Sequence, residues 1–325
     1  MTSAGAGTKF FDFLYKYGTL ITIALLIAAF GTLTDHFLSG SNIVTILRSI
    51  SIVTIIAIGL TVSLAVGGFD LSVGSTASLA NALVISFFVW HGQGTGVSLA
   101  LTLAFCLLVG LVNAFLVINF KIQDMLMTLA TMFVFQGIAL TYTRGATISE
   151  NMILPNGDFA TGIIPDGFGA IGQVPWIIVV MLIVVLAVHL FLNYTKHGRY
   201  MYMIGGNPEA AKLSGIAVSK YRLAAYVISA LLAGVGGIVL GARVMNAEVN
   251  AGAPYLMDAV AAAFIGYSVL GAGKPNAFGT FAGAVLIGIL SNGLIMLSVP
   301  YYAMDIVKGS VLAVALAITY YKRTH

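Results

Sequence analysis

Charge is what this sequence has least of. Only 8% of its 325 residues are Asp, Glu, Lys or Arg, against roughly 25% in a soluble domain. Hydrophobic residues make up 59% of the chain and mean hydropathy is +1.02, which excludes a water-soluble globule of this length. Cysteine is nearly absent: Cys106 stands alone in an apolar run, so an internal disulfide is excluded. The five histidines are scattered, and there is no HExxH, no paired His/Cys spacing and no Walker A loop. Metalloenzyme and nucleotide-hydrolysing chemistry therefore have no residues to rest on, and no bound cofactor is expected. Strand-type alternation is lacking too, against a β-barrel. The net charge of +4 is small and unevenly placed, a matter of membrane orientation and not of nucleic acid. No small-residue cleavage site follows the polar start MTSAGAGTKFFDFLYKYG, so the first apolar run reads as a retained span.

What is present is a series of apolar runs of membrane length. A span needs roughly 20 apolar residues. Ten are predicted, near 18–34, 46–66, 72–90, 97–118, 125–143, 175–194, 222–243, 258–272, 277–298 and 302–321. The eighth is short and begins on Asp258, as a broken or tilted helix would. The class is all-α, one polytopic transmembrane domain over 1–325. With the N-terminus inside, Lys9, Lys16, Lys121, Lys196, Arg199, Lys212, Lys220, Arg222, Lys274, Lys322 and Arg323 face the cytoplasm. Asp35, Glu150, Asp158, Asp166, Glu248 and Asp258 then face out, and an even span count returns the C-terminus to the cytoplasm. Two halves, 1–174 and 175–325, have five spans each. Five is odd, so an inverted five-plus-five repeat is admitted, with Asp70 and Asp258 each heading a helix of small residues.

One stretch is out of character. IGGNPEAAKLSGI (204–216) lies in the longest inner loop, 195–221, and reads as a short helix of soluble design. Asn207 is a good N-cap, Pro208 suits the first helical position, Glu209 favours the positive end of the dipole, and Gly215 suits a left-handed end. About two turns cannot stand alone in water. The helix is either a capped connector or a knob held by a soluble partner.

A second stretch, GGFDLSVGS (67–75), combines glycines that permit a break in a helix with Asp70 placed to cap the next one. A charge at mid-bilayer costs roughly 3 kcal/mol. Asp70 should therefore reach water or be used. A broken helix here can line a path, with Gly68, Asp70, Ser72 and Ser75 at its wall, or serve only as a tight turn. Asn81, Asn113, Thr128, Thr131, Gln136, Asn292 and Lys308 are the polar residues inside spans, where interhelical hydrogen bonds are the ordinary use. Asp305 and Lys308, three apart, are placed to pair. Gly237 with Gly241, and Gly279 with Gly283, are spaced for close helix contact, within the chain or between two copies.

These residues also carry a family resemblance. EAAKLSG (209–215) has the spacing of the EAA-x-x-x-G loop of ABC importer permeases. The wider TKHGRYMYMIGGNPEAAKLSGI (195–216) resembles the form of that loop in the ribose-type monosaccharide permeases. VGGFDLSVGS (66–75) is similar to the family's G-G-I-D-L-S-V-G-S motif, with Phe69 for the usual isoleucine. GLVNAFLVINFKI (110–122), around Asn113, and AFGTFAGAVLIGILSNGL (277–294), which holds Asn292, resemble two softer patterns. Lys121-Ile122-Gln123-Asp124 departs from the family, which has proline after the K-I/V pair. So does the stretch 265–273, which lacks the usual G-G-x-x-x-x-G-G.

The resemblance covers 66 to 294, nearly the whole chain. It implies the permease subunit of a sugar importer in the bacterial plasma (inner) membrane. Such a subunit would have no ATPase activity of its own, the ATP and Mg being held by a separate ATP-binding subunit. Gly206, Asn207, Pro208, Glu209, Ala210, Ala211, Ser214 and Gly215 would form the coupling helix. A periplasmic or lipid-anchored binding protein would deliver sugar to the outer loops, chiefly 144–174. A second copy or paralogue would complete a dimer in the bilayer. Gly68, Asp70, Ser72, Ser75, Asn113, Asp258 and Asn292 are the translocation-path candidates. Two readings stay open beside it: an ion-coupled secondary transporter with Asp70 as its working acid, and a permease of the same superfamily for an amino acid or another small polar solute.

Overall fold

Without water to satisfy them, backbone N–H and C=O groups must pair within their own segment, so apolar runs become helices. The computed structural model describes residues 6–154, 157–267, 269, 273–300, 302–310 and 313. Along the chain run α1 (Ala6–Leu33), α2 (Gly40–Ala65), α3 (Val73–Val89), α4 (Thr95–Phe120), α5 (Asp124–Thr143), α6 (Asp166–Ile171), α7 (Trp176–Tyr194), α8 (Lys196–Gly206), α9 (Pro208–Leu213), α10 (Val218–Val244), α11 (Ala253–Gly266) and α12 (Ala277–Met296). A further segment is helical over 302–310. Among the described residues the only extended pairings are two isolated bridges, Ile148 with Ala247 and Ile153 with Phe159.

Helices α2, α4, α5, α7, α10 and α12 are long and apolar enough to cross a membrane, and three shorter apolar helices cover Tyr17–Leu33, Val73–Val89 and Ala253–Gly266. Each falls on a predicted span. Of the tenth span, 302–321, the second half lies outside the described residues, as do Lys322, Arg323 and most of 268–272. One boundary is corrected. Asp258 does not open the eighth helix: α11 starts at Ala253, with proline in its first turn, and Asp258 sits inside it. Pro254 and the preceding Gly252 are the start signal there, and the acid is not.

α2, α3 and α10 form the centre; α3 is buried almost throughout, and α2 from Ile50 onward. α2 packs on α10, α11 and α12, while α10 packs on α2, α3 and α4. α4, α5 and α7 turn apolar residues such as Leu108, Phe115, Phe133 and Ile183 outward, as a lipid-facing ring requires. Both glycine pairs work inside the chain. Gly237 lies against the Ala77 carbonyl and Gly241 against Asn81, both of α3; Gly279 and Gly283 lie against the Gly266 and Ala262 carbonyls of α11. In each case a Cβ would collide with the neighbour, so these are closest approaches of helix to helix.

The bundle has two ends. At one, α8 and α9 cover the C-terminus of α2 and the N-terminus of α10. At the other, the 144–174 connection folds back. Ile148, Ala160, Ile164 and Phe168 pack with Val84, Phe88 and Ala242.

α3 and α11 are short because each begins inside the bundle. Their N-termini meet: the backbone N–H of Gly252 donates to Ser78 Oγ at 2.9 Å, and Gly252 has no room for a Cβ against the Gly74 carbonyl. α3 runs from there to the 144–174 end, and α11 toward the α8–α9 end, where Gly266 touches Thr280.

Candidate functional site

The short helix α9 is closed at both ends by local chemistry. Asn207 Oδ1 accepts the N–H of Ala210 at 3.0 Å, and Pro208 occupies the first turn. At the other end Ile216 N donates to Ala211 O at 3.1 Å and Gly215 N to Lys212 O at 3.0 Å, with Gly215 at φ +80°. That pair of bonds is the Schellman motif, which needs a residue free to turn left-handed. Ser214 Oγ bonds back to Ala210 O at 2.9 Å. Ala211 alone of the helix is buried; Pro208, Glu209, Ala210, Lys212 and Leu213 face outward, Leu213 at 89% exposure. Thus one small residue seats α9, and the rest of its surface is free.

α8 carries α9. Thr195 caps it by accepting from Gly198 N at 3.1 Å. At its far end Gly205 presses on the α2 terminus, while Gly206 and Asn207 are exposed. Tyr202 OH donates to Pro275 O at 2.8 Å, with Lys274 over its ring; burial pushes this phenol up to about 12. α8 therefore touches the connections that lead into both α3 and α12.

The Asp70 turn lies next to it. Asp70 is fully buried. Its Oδ1 accepts from Ser72 N at 3.0 Å and from Ser72 Oγ at 2.6 Å, and its Oδ2 accepts from Ser229 Oγ of α10 at 2.8 Å. Asn113 of α4 donates to Ser72 Oγ at 2.7 Å. Thr128 of α5 accepts the Leu71 N–H at 3.0 Å and donates to Phe69 O at 2.9 Å. The N-cap position of α3 is Ser72, whose side chain makes no capping bond; Asp70 does not cap the helix but holds the residue at its start. The acid does not reach water. It is used, as the hub that ties α3 to α4 and α10.

Sequence reasoning missed a second cluster beside this turn. Asp124, in the first turn of α5, pairs with Arg222 and accepts from Tyr226 OH, both on α10. A Cβ on Gly68 would meet Tyr226 OH at 2.8 Å and Asp124 Oδ2 at 2.9 Å. Asp124 was visible only as a departure from the family pattern. Its signal was an acid among the basic residues of that end.

The path candidates fall in three places. Gly68, Asp70, Ser72 and Asn113 come together in the closed network, with Ser75 one turn on, bonded to Ser72 O at 2.9 Å. Asn292 lies near the other end of α12, where its amide and that of Asn42 exchange two hydrogen bonds of 3.0 Å. Asp258 stands apart and pairs with Lys308. Lys308 was expected to pair with Asp305, three residues away. Both Asp258 oxygens receive its Nζ instead, at 3.3 and 3.2 Å. Among the described residues no cluster of His, Cys, Asp and Glu is placed to hold a metal.

A multi-pass helical bundle with two short apolar helices that begin inside it and a capped helix offered at one end has the build of a transport subunit. Residues 42–316 match the family described as branched-chain amino acid transport system / permease component, and the chain belongs to that family. It is similar to the ribose import permease protein RbsC of Escherichia coli K12, 34% identical over 98% of both chains. It is likewise 34% identical to the Bacillus subtilis ribose import permease protein RbsC, over 93% of this chain and 92% of that one. The xylose transport system permease protein XylH of Haemophilus influenzae is 33% identical over 94% and 96%. No solved structure matches it.

Proposed function

We propose that this chain is the permease subunit of an ATP-driven importer that carries a monosaccharide of the ribose kind across the bacterial plasma membrane. The observation that carries the reading is α9. A helix of six residues, closed by its own caps and seated by Ala211 alone among its buried side chains, is a rigid knob whose other side chains face outward. A separate ATP-binding subunit, which brings its own ATP and Mg, takes hold of Glu209, Lys212 and Leu213. Force then passes through α8 to the turns ahead of α3 and α12. The α8–α9 end and both termini face the cytoplasm, in line with the basic residues there. An extracytoplasmic sugar-binding protein docks at the 144–174 end, and a second permease copy or paralogue completes the assembly.

The packing supports an inverted five-plus-five repeat. The second span touches spans six, seven, eight and nine, and the seventh touches spans two, three and four. Apart from the contact of the second span with the sixth, exchange of halves relates the two sets, and it relates α3 to α11, whose N-termini meet. The enclosed Asp70, already saturated by serine donors, gives an ion-coupled transporter no accessible acid at that point.

The test is co-purification. The tagged chain is isolated from its native membranes in mild detergent and its partners identified by mass spectrometry. An ATP-binding subunit should accompany the natural chain and be lost from Ala211→Glu, because a carboxylate cannot enter the seat. If the ATPase stays with the variant, or accompanies neither protein, the coupling role of α9 is refuted.

A further inference from the structure

Two charged side chains meet between α11 and the 302–310 helix, away from α9 and from the Asp70 turn. Lys308 and Asp258 form an ion pair with about a quarter of each side chain exposed, 25% and 26%. They stand in a cavity of about 480 Å³ between α11, α12 and the 302–310 helix. Leu286, Ile287 and Leu290, near the midpoint of α12, form an aliphatic wall. α11 begins at the mid-bundle contact with α3. The cavity therefore lies near half depth. Asp305 lines it too, one turn from Lys308.

Partly exposed charges at this depth cannot face hydrocarbon; they face water or a polar solute. The groups present select the solute. Carboxylates accept hydrogen bonds from hydroxyls, and an ammonium donates to hydroxyl oxygens. An aliphatic wall beside a few polar groups suits the C–H face of a small ring. Two acids against one lysine leave the set net anionic, which opposes a solute carboxylate and so disfavours an amino acid.

We infer that the cavity between α11, α12 and the 302–310 helix holds an uncharged polyhydroxylated solute in passage, with Asp258, Asp305 and Lys308 as its hydrogen-bonding groups. The inference rests on the importer reading above and adds where the solute is held. The ion pair keeps both charges satisfied while the cavity is empty. A hydroxylated ring then replaces each bond of the pair with one of its own.

The experiment uses the complex reconstituted with its ATP-binding subunit and binding protein, with ribose as the probe, reading uptake and ATP hydrolysis together. Asp258→Asn and Lys308→Met should each lower uptake about tenfold or more, the effect of one charge-assisted hydrogen bond, while stimulated ATP hydrolysis persists. The exchange Asp258→Lys with Lys308→Asp should not restore uptake. Unchanged uptake in the single variants, or recovery in the exchange, overturns the inference and leaves a structural ion pair. Met257 lines the cavity and is exposed, so Met257→Cys gives a second reading that does not depend on charge removal. A charged, membrane-impermeant thiol reagent should modify it and block uptake, while Phe133→Cys on the lipid face stays unreacted and buried Cys106 stays silent. A Met257→Cys that never reacts also overturns the inference. The natural complex is assayed alongside; if it shows no ATP-driven uptake, the importer reading fails instead.

Discussion

Gly205 of α8 lies against the carbonyl of Ala65, the last residue of α2, with no room between them for a methyl group. The same glycine touches Gly67, at φ +74°, where the chain turns toward Asp70. α8 is thus in van der Waals contact with the backbone that enters the Asp70 turn. A side chain at position 205 would wedge the two apart. Gly205→Val should cost about 1–3 kcal/mol by overpacking, and in the assembled complex it should lower solute moved per ATP hydrolysed. The check is that ratio in proteoliposomes; an unchanged ratio contradicts a rigid link through α8.

Asp124 and Arg222 should lock the same end. Asp124→Asn and Arg222→Met each remove a charge-assisted bond, for about 1.5–3 kcal/mol. The coupling energy of the double substitution should exceed 0.5 kcal/mol on the usual scale for touching residues, roughly 0.5–3 kcal/mol. Thermal unfolding in detergent measures it, and additive single effects would mean that the pair does not stabilise the fold.

Asp70 is predicted to be structural. Asp70→Asn keeps one acceptor for Ser72, whereas Asp70→Leu leaves the donors of Ser72 and Ser229 unpaired in a dry site. Each unpaired buried group costs about 1–3 kcal/mol, so the leucine variant should unfold at the lower temperature. Equal melting of the two variants would contradict the hub role.

The closed ends of α9 were fully legible in the sequence, because every contact in them is local: Asn207, Pro208 and Gly215 act within a few residues of themselves. The positions of the first nine spans were legible for the same reason, apart from the start of α11. The Asp70 hub was not, since its partners come from positions 113, 128 and 229, and nothing in a single helix says which polar residue faces which. The Asp258–Lys308 pair was misassigned by favouring the neighbour three residues away over one 50 residues away. Short-range spacing predicts contact on one helix and is blind to contact between two.

Asn42 and Asn292 should behave as one unit. Two amides exchanging two hydrogen bonds between α2 and α12 contribute about 0.6–2 kcal/mol in a membrane bundle. Asn292→Leu should cost that much, and Asn42→Leu added to it should cost little more. Chemical denaturation in mixed micelles reads both; a double variant that loses twice as much would break the pairing claim.

At the 144–174 end, Ile153, Phe159 and Ile163 are each at least 65% exposed, on a connection that buries Ile148, Ala160, Ile164 and Phe168. Ile163→Asp should weaken capture of the sugar-loaded binding protein by about tenfold, as loss of a central apolar contact does, and leave the fold intact. Surface-bound binding-protein titration checks this. An unchanged affinity would move the docking surface elsewhere.

The central claim is that α9 is held by an ATP-binding subunit. Leu213 tests it most directly, for it points away from the chain at 89% exposure and Cys106 is buried. Leu213→Cys, treated in native membranes with a short thiol-to-amine crosslinker, should join this chain to a single partner carrying a Walker A loop. A Leu213→Cys that forms no such adduct, while uptake continues to consume ATP, would contradict it.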